Sequence, residues 1–395
     1  MRTLLLAFAA LLVLPVAASA QVRVLPLEAP SVIALGDSAI SGEAGRWAGN
    51  TNGAYSRTDA LGSTAYHDIP GAESIPGCHK SKAAEVHIGD GVKSLNLACS
   101  GARTYSRVSD GKFKPGIDFY NSGANKGQAL ALKEYAATHK NIKAVVVLIG
   151  ANDYGFADIV QTCVTNWLTS PSWWKNYCRD DANMVSMFSA ANITKNTKAV
   201  QDAFLRIKQA MQEAGGYGDE SKWEIIAQTY SAPLPHSAGG FRYPESGWTR
   251  QSIGGCGVWN SDAYWARNTV VNTLNQTVRD AVYGMSNVSV LEMTEALAGR
   301  KLCENTVGLL EEKGVANWTS PGAVDKSEWV HQVRTVTTIF PPYQLQEDAH
   351  PNYWGQMAMR NCFRQAYNGG VPKGGTCSRL TGLNDKGEPN MSLGG

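Results

Sequence analysis

The sequence predicts an α/β fold in which helices cover both faces of a parallel sheet. Three observations point there. Short runs rich in β-branched residues are bounded by turn signals. Stretches with helical spacing lie between and after them, and such alternation favours parallel strands joined by crossover helices. The apolar share, 43% of 395 residues, is enough for a sizeable core.

The expected strands are 31–35, 92–97, 144–149, 224–228 and 287–291. They read as near-continuous apolar runs, as strands buried on both faces do. The expected helices are 127–138, 197–213, 261–283 and 353–367. In the second of these, Val200, Ala203, Phe204, Ile207 and Met211 recur at three- and four-residue spacing, which places them on one face. Two regions break the alternation. Residues 47–86 are rich in Gly, Ser, His and Pro and read as a long structured loop. Residues 156–187 carry Trp167, Trp173, Trp174 and Tyr177 and read as a second one, inside an expected disulfide. Long loops at the carboxyl ends of strands are where α/β folds carry their sites. No linker divides the chain, so one domain is expected over 21–377, and the polar, Gly-rich 378–395 reads as a flexible C-terminal tail.

The N-terminus reads as a signal peptide over 1–20. Arg2 is followed by an apolar run over 4–16 and the small-residue pattern Ala18-Ser19-Ala20, which predicts a secreted chain starting at Gln21. No later stretch is long and apolar enough for a spanning helix, so no stable membrane insertion is expected. Eight cysteines in an exported chain read as disulfides. The simplest pairing joins sequence neighbours: Cys78–Cys99, Cys163–Cys178, Cys256–Cys303 and Cys362–Cys377. A zinc site competes at Cys78, with His79 and His87 nearby, but no Cys-x-x-Cys pair supports it. A net charge of +2, from 36 basic and 34 acidic residues, gives no reason to expect a nucleic-acid partner.

Four short blocks carry the chemistry. Leu35-Gly36-Asp37-Ser38 ends the first strand, Cys99-Ser100-Gly101-Ala102 follows the second, and Gly150-Ala151-Asn152-Asp153 follows the third. Asp348-Ala349-His350-Pro351-Asn352 precedes the last helix. A serine hydroxyl is weakly nucleophilic at neutral pH and needs a base. It also needs donors aimed at the developing oxyanion. Ser38, Gly101, Asn152 and His350 supply those parts. Each residue also has a plain structural reading: Asp37 and Ser38 as helix caps, Asn152 in a turn, and Asp37 and Asp153 as acceptors for local backbone. The Gly-x-Ser-x-Gly elbow is absent around Ser38. His67, His79, His87, His139, His236 and His331 show no ligand spacing and read as loop or surface residues.

The ordered blocks resemble the SGNH or GDSL hydrolase superfamily, over about 31–356, and exported size and cysteine content are similar to its secreted actinobacterial-type esterases and phospholipases. The resemblance implies a flavodoxin-like three-layer α/β/α sandwich with the site at the carboxyl ends of the strands. By position it implies Ser38 as nucleophile and His350 as base. The Ser38 and Gly101 N–H groups and the Asn152 side chain would form the oxyanion hole. Ala39 stands where the family often has a larger apolar residue. The family's acid lies three before the histidine, which is Glu347 here, while Asp348 lies two before. Asp348 is favoured as the residue orienting His350, with Glu347 and a main-chain carbonyl as alternatives. The implied reaction is carboxylic ester hydrolysis through an acyl-serine, with no metal or cofactor. The substrate is a lipid, a short-chain ester or an acylated polysaccharide. Two other functions stay open: acyl transfer by the same serine, and a non-catalytic carbohydrate-binding module using exposed Trp.

Overall fold

The structure is a computed structural model and describes residues 28–395; the expected signal peptide lies outside the described residues. Seven strands form the central sheet. They are β1 (Ser31–Gly36), β2 (Lys93–Asn96), β3 (Ile142–Leu148), β4 (Glu224–Gln228), β5 (Val288–Glu292), β6 (Gly375–Leu383) and β7 (Pro389–Gly394). The order across the sheet is β7-β6-β5-β4-β3-β1-β2. Every pairing from β2 to β6 is parallel, and β7 runs antiparallel at the edge.

Seven helices matter for the site. They are α1 (Ser38–Ser41), α2 (Gln128–Thr138), α3 (Phe156–Thr169), α4 (Ala190–Glu213), α5 (Asn260–Trp265), α6 (Asn272–Val282) and α7 (Tyr353–Tyr367). Side chains alternate across a strand, so each strand feeds two cores. Val32, Ala34 and Val146 point to one, where α7 packs through Ala358, Met359 and Phe363. Ile33, Leu35 and Val145 point to the other, covered by Leu132 of α2 and by Val200, Phe204 and Ile207 of α4. The result is a three-layer α/β/α sandwich. Its parallel register brings the ends of β1 and β3 level, with Gly36 opposite Leu148.

Four disulfides join Cys78 to Cys99, Cys163 to Cys178, Cys256 to Cys303 and Cys362 to Cys377. Cys78 is therefore no metal ligand. Among the described residues, no helix is long and apolar enough to cross a membrane.

Two expectations are corrected. Residues 378–395 are no loose tail: they form most of the β6–β7 hairpin that completes the sheet. A tight turn closes it, with the Gly387 N–H donating to the Asn384 carbonyl at 3.0 Å. Met391 is buried, and Asn361 of α7 donates to the Pro389 carbonyl at 2.8 Å. Polar composition hid a strand pair whose apolar residues are few but inward. Residues 156–187 are not a long loop either: 156–169 form α3, with Ile159, Cys163 and Val164 buried on one face. By contrast, 47–86 holds short 3₁₀ turns at Tyr55–Arg57 and Gly62–Thr64.

Candidate active site

Gly36 makes the exit from β1 possible. Its φ is +138°, and a Cβ there would lie 1.9 Å from the Leu148 carbonyl oxygen. Only glycine tolerates both. The Gln128 side chain clamps the same peptide, accepting from Gly36 N–H at 2.7 Å and donating to its carbonyl at 2.8 Å. Asp37 then caps α1, accepting from the Ala39 N–H at 3.2 Å. Ser38 becomes the first residue of α1, at the carboxyl edge of the sheet.

The second Asp37 oxygen accepts from the Tyr230 hydroxyl. The same hydroxyl accepts from the Ala151 N–H at 3.0 Å. One chain of hydrogen bonds thus ties together the segments leaving β1, β3 and β4. Burial pushes Asp37 up to about 7, against the opposing hydrogen bond from Tyr230. Burial and the neighbouring Asp37 hold the Tyr230 hydroxyl well above its ordinary value, so it stays protonated.

His350 arrives from the far end of the chain. Its Nε2 lies 2.7 Å from Ser38 Oγ, and its Nδ1 lies 2.9 Å from the main-chain carbonyl oxygen of Asp348. A carbonyl only accepts, so Nδ1 carries the proton and Nε2 offers its lone pair to the serine hydroxyl. Ser38 and His350 are 8% and 9% exposed, so the pair is sheltered yet open on one side. Burial lowers the His350 pKa, with Glu43 acting the other way. The imidazole is therefore neutral at neutral pH. Phe156 stands edge-on to its ring, 6.0 Å between centroids.

The loop that holds His350 is braced on both sides. Ala349 N–H donates to the His331 carbonyl at 3.1 Å, and His331 N–H donates to the His350 carbonyl at 2.8 Å. Asn352 caps α7, accepting from Trp354 N–H at 3.1 Å. Ala349 has φ +60°, a left-handed conformation that a non-glycine residue seldom adopts. That turn aims the Asp348 carbonyl at the ring.

The favoured role of the Asp348 side chain is thereby corrected. Its carboxyl accepts from the Arg334 N–H at 3.0 Å. The Glu347 carboxyl accepts from the Tyr66 hydroxyl at 2.6 Å and from the Gln344 N–H at 2.9 Å. Burial pushes Glu347 up to about 7 and Asp348 up to about 8. The left-handed turn sends both side chains elsewhere and leaves the main chain to hold the imidazole.

Asn152 donates through Nδ2 to the Ala102 carbonyl at 2.9 Å and keeps its second amide hydrogen. Ser38, Asn152 and His350 line one cavity together with Asp37, Phe156 and Tyr230. Gly101 stands outside that lining, one residue from the carbonyl that Asn152 holds. Its φ is +78°. Asp153 accepts from Thr104 N–H at 3.1 Å and from the Thr104 hydroxyl at 2.8 Å, a structural role.

Four residues escaped the sequence reading: Gln128, Phe156, Tyr230, and Gln356, which donates to the Ala39 carbonyl at 2.8 Å. Only Tyr230 left a signal, since it lies just beyond a strand like the other site residues. Trp167 is buried, while Trp173 and Trp174 are exposed, and none lines the cavity. Two of the histidines read as loop or surface residues lie in loops and are buried there. His79 pairs with Glu43 at 2.7 Å, and His331 stacks on Trp47. Cys163, Cys178 and Asp262 lie together, but the two sulfurs are bonded to each other and offer no thiolate to a metal.

No family model matches the chain, and no curated protein matches it in sequence. Solved structures are similar to it. The extracellular lipase of Streptomyces rimosus is 17% identical with a TM-score of 0.47, covering 86% of this chain and 100% of that one. Phospholipase A1 of Streptomyces albidoflavus is 16% identical with a TM-score of 0.46, covering 85% and 99%. A family two carbohydrate esterase of Clostridium thermocellum is 12% identical with a TM-score of 0.36, covering 87% and 64%.

Proposed function

We propose that the protein is a secreted serine hydrolase that cleaves carboxylic esters through an acyl-Ser38 intermediate. One observation carries the reading: His350 sits with Nε2 2.7 Å from Ser38 Oγ and Nδ1 on a carbonyl oxygen 2.9 Å away. An imidazole held in that tautomer takes the serine proton as Oγ attacks the ester carbon. Negative charge then grows on the former carbonyl oxygen. The Ser38 and Gly101 N–H groups and the free Asn152 amide hydrogen are the donors assigned to it. Collapse of the adduct returns the proton from Nε2 to the departing alkoxide. Water, deprotonated by the same nitrogen, then releases the acid and frees Ser38.

The lowered pKa of His350 supports this role, because a base must be neutral to act. A main-chain carbonyl replaces the usual carboxylate. It orients the ring but adds no full negative charge, so the imidazolium relies on that hydrogen bond and on the field of the Glu43 carboxylate.

A fluorophosphonate probe should label Ser38, and Ser38→Ala should lose p-nitrophenyl ester turnover while keeping its far-UV circular dichroism. A folded Ser38→Ala protein with unchanged turnover would remove the assignment. Export predicts a mature chain whose intact mass starts at Gln21.

A further inference from the structure

We infer that the exposed-to-cavity face of α3 is a ruler for a straight, medium-length acyl chain, and that Val160 and Val164 set its length. The inference rests on the hydrolase reading and names the substrate class of that site.

A second, narrow cavity adjoins the one around Ser38. The two share Phe156, Pro233, Val271 and Ala349, so they lie against common walls beside His350. From there α3 lines the space with Ile159, Val160, Cys163 and Val164. With Phe156 these fall at the three- and four-residue spacing of a single helical face. Val270 and Val271 belong to the π-helical turn Ala266–Val271 between α5 and α6 and also line it. From Phe156 to Val164 the face runs about 12 Å along the helix axis. The next residue on that face, Trp167, is packed between Trp248 and Trp259 and lies outside the lining. The slot stops there.

The chemistry of the walls excludes a sugar. Two charged residues border the slot, and both are engaged. Asp262 accepts from the Cys178 and Arg179 N–H groups at 3.2 Å each, and Arg267 pairs with Glu295 at 2.8 Å. A polyhydroxylated ligand would leave its hydroxyls without partners against valine and isoleucine. A methylene chain loses nothing there, and each methylene it buries raises binding about fourfold.

The test is the series of p-nitrophenyl acetate, butyrate, octanoate, dodecanoate and palmitate. We expect kcat/KM to rise from acetate to octanoate and then level or fall. Val164→Trp should lower the octanoate-to-acetate ratio about tenfold. Val160→Trp, one turn nearer Ser38, should lower the butyrate-to-acetate ratio as well. A measurement on the unaltered protein guards against misfolded variants: an octyl phosphonate should label Ser38 faster than a methyl phosphonate. A flat series with equal labelling rates, while acetate is still turned over through Ser38, overturns the ruler and leaves the hydrolase. A protein whose Ser38 reacts with neither phosphonate and which cleaves no ester overturns both.

Discussion

The two halves of the site are built differently. On the serine side, position comes from strand ends. Gly36, Asp37 and Ser38 leave β1 in fixed order, and side-chain hydrogen bonds from Gln128 and Tyr230 lock the turn. On the histidine side, position comes from a loop with no regular structure. Main-chain groups of His331, Asp348 and Ala349 do the holding. The serine side therefore answers to side-chain substitution at several places. The histidine side answers to the path of the backbone, and its carboxylates are bystanders to the ring.

The largest expected effect tests what both sides serve. His350→Ala should cut kcat/KM for p-nitrophenyl esters by roughly 10⁶-fold, as loss of a base that acts together with its nucleophile does. Ser38→Ala should match it, and the double variant should cost no more than either. An additive double variant would mean that the two residues act independently.

Next comes the serine side's backbone. Gly36→Ala forces a Cβ against the Leu148 carbonyl at a φ that alanine resists. Thermal unfolding should show a loss of about 3 kcal/mol or more, or no soluble protein. A melting temperature like that of the native chain would mean that the β1 exit relaxes freely.

Tyr230→Phe removes one hydroxyl and strands two partners, Asp37 and the Ala151 N–H. Urea unfolding should register a loss of about 2 kcal/mol. Activity should fall too, because the segments leaving β1 and β3 lose their common tie.

The pH profile probes the histidine side. Burial lowers the pKa of His350 below its ordinary 6.5. Only the neutral imidazole works as a base, so activity should fall with acid through a midpoint below that value. Activity should be intact at neutral pH. A midpoint above the ordinary value would mean that the Glu43 carboxylate outweighs burial at the imidazole, the reverse of the balance in the structure.

The same contrast explains what the sequence revealed. Five strands and most helices were legible because buried strands demand unbroken apolar runs and amphipathic helices demand a repeating face. Ser38 and Asn152 were legible because each follows such a strand. The orienting group of His350 was not. A carbonyl belongs to every residue, and the left-handed turn that aims it falls on Ala349, a residue type that gives no warning of positive φ. Counting back three from the histidine gives Glu347, and residue type favours Asp348; it is the Asp348 carbonyl and not its carboxyl that meets the ring. The β6–β7 hairpin was missed for a related reason. Its polar outer face dominates the composition, while its inward residues number too few to show a pattern. The apolar face of α3 is hard to see in the sequence because it runs directly into the Trp-rich segment around Trp167, Trp173 and Trp174.

The most direct test of the main-chain arrangement is kcat/KM for Asp348→Asn. The substitution keeps the carbonyl, and it replaces a carboxyl that burial has already pushed up to about 8. Activity within about tenfold of the native protein is expected, against roughly 10⁴-fold where a carboxylate orients the histidine. A loss of that larger size, in a variant that folds normally, would show that the side chain and not the backbone holds His350.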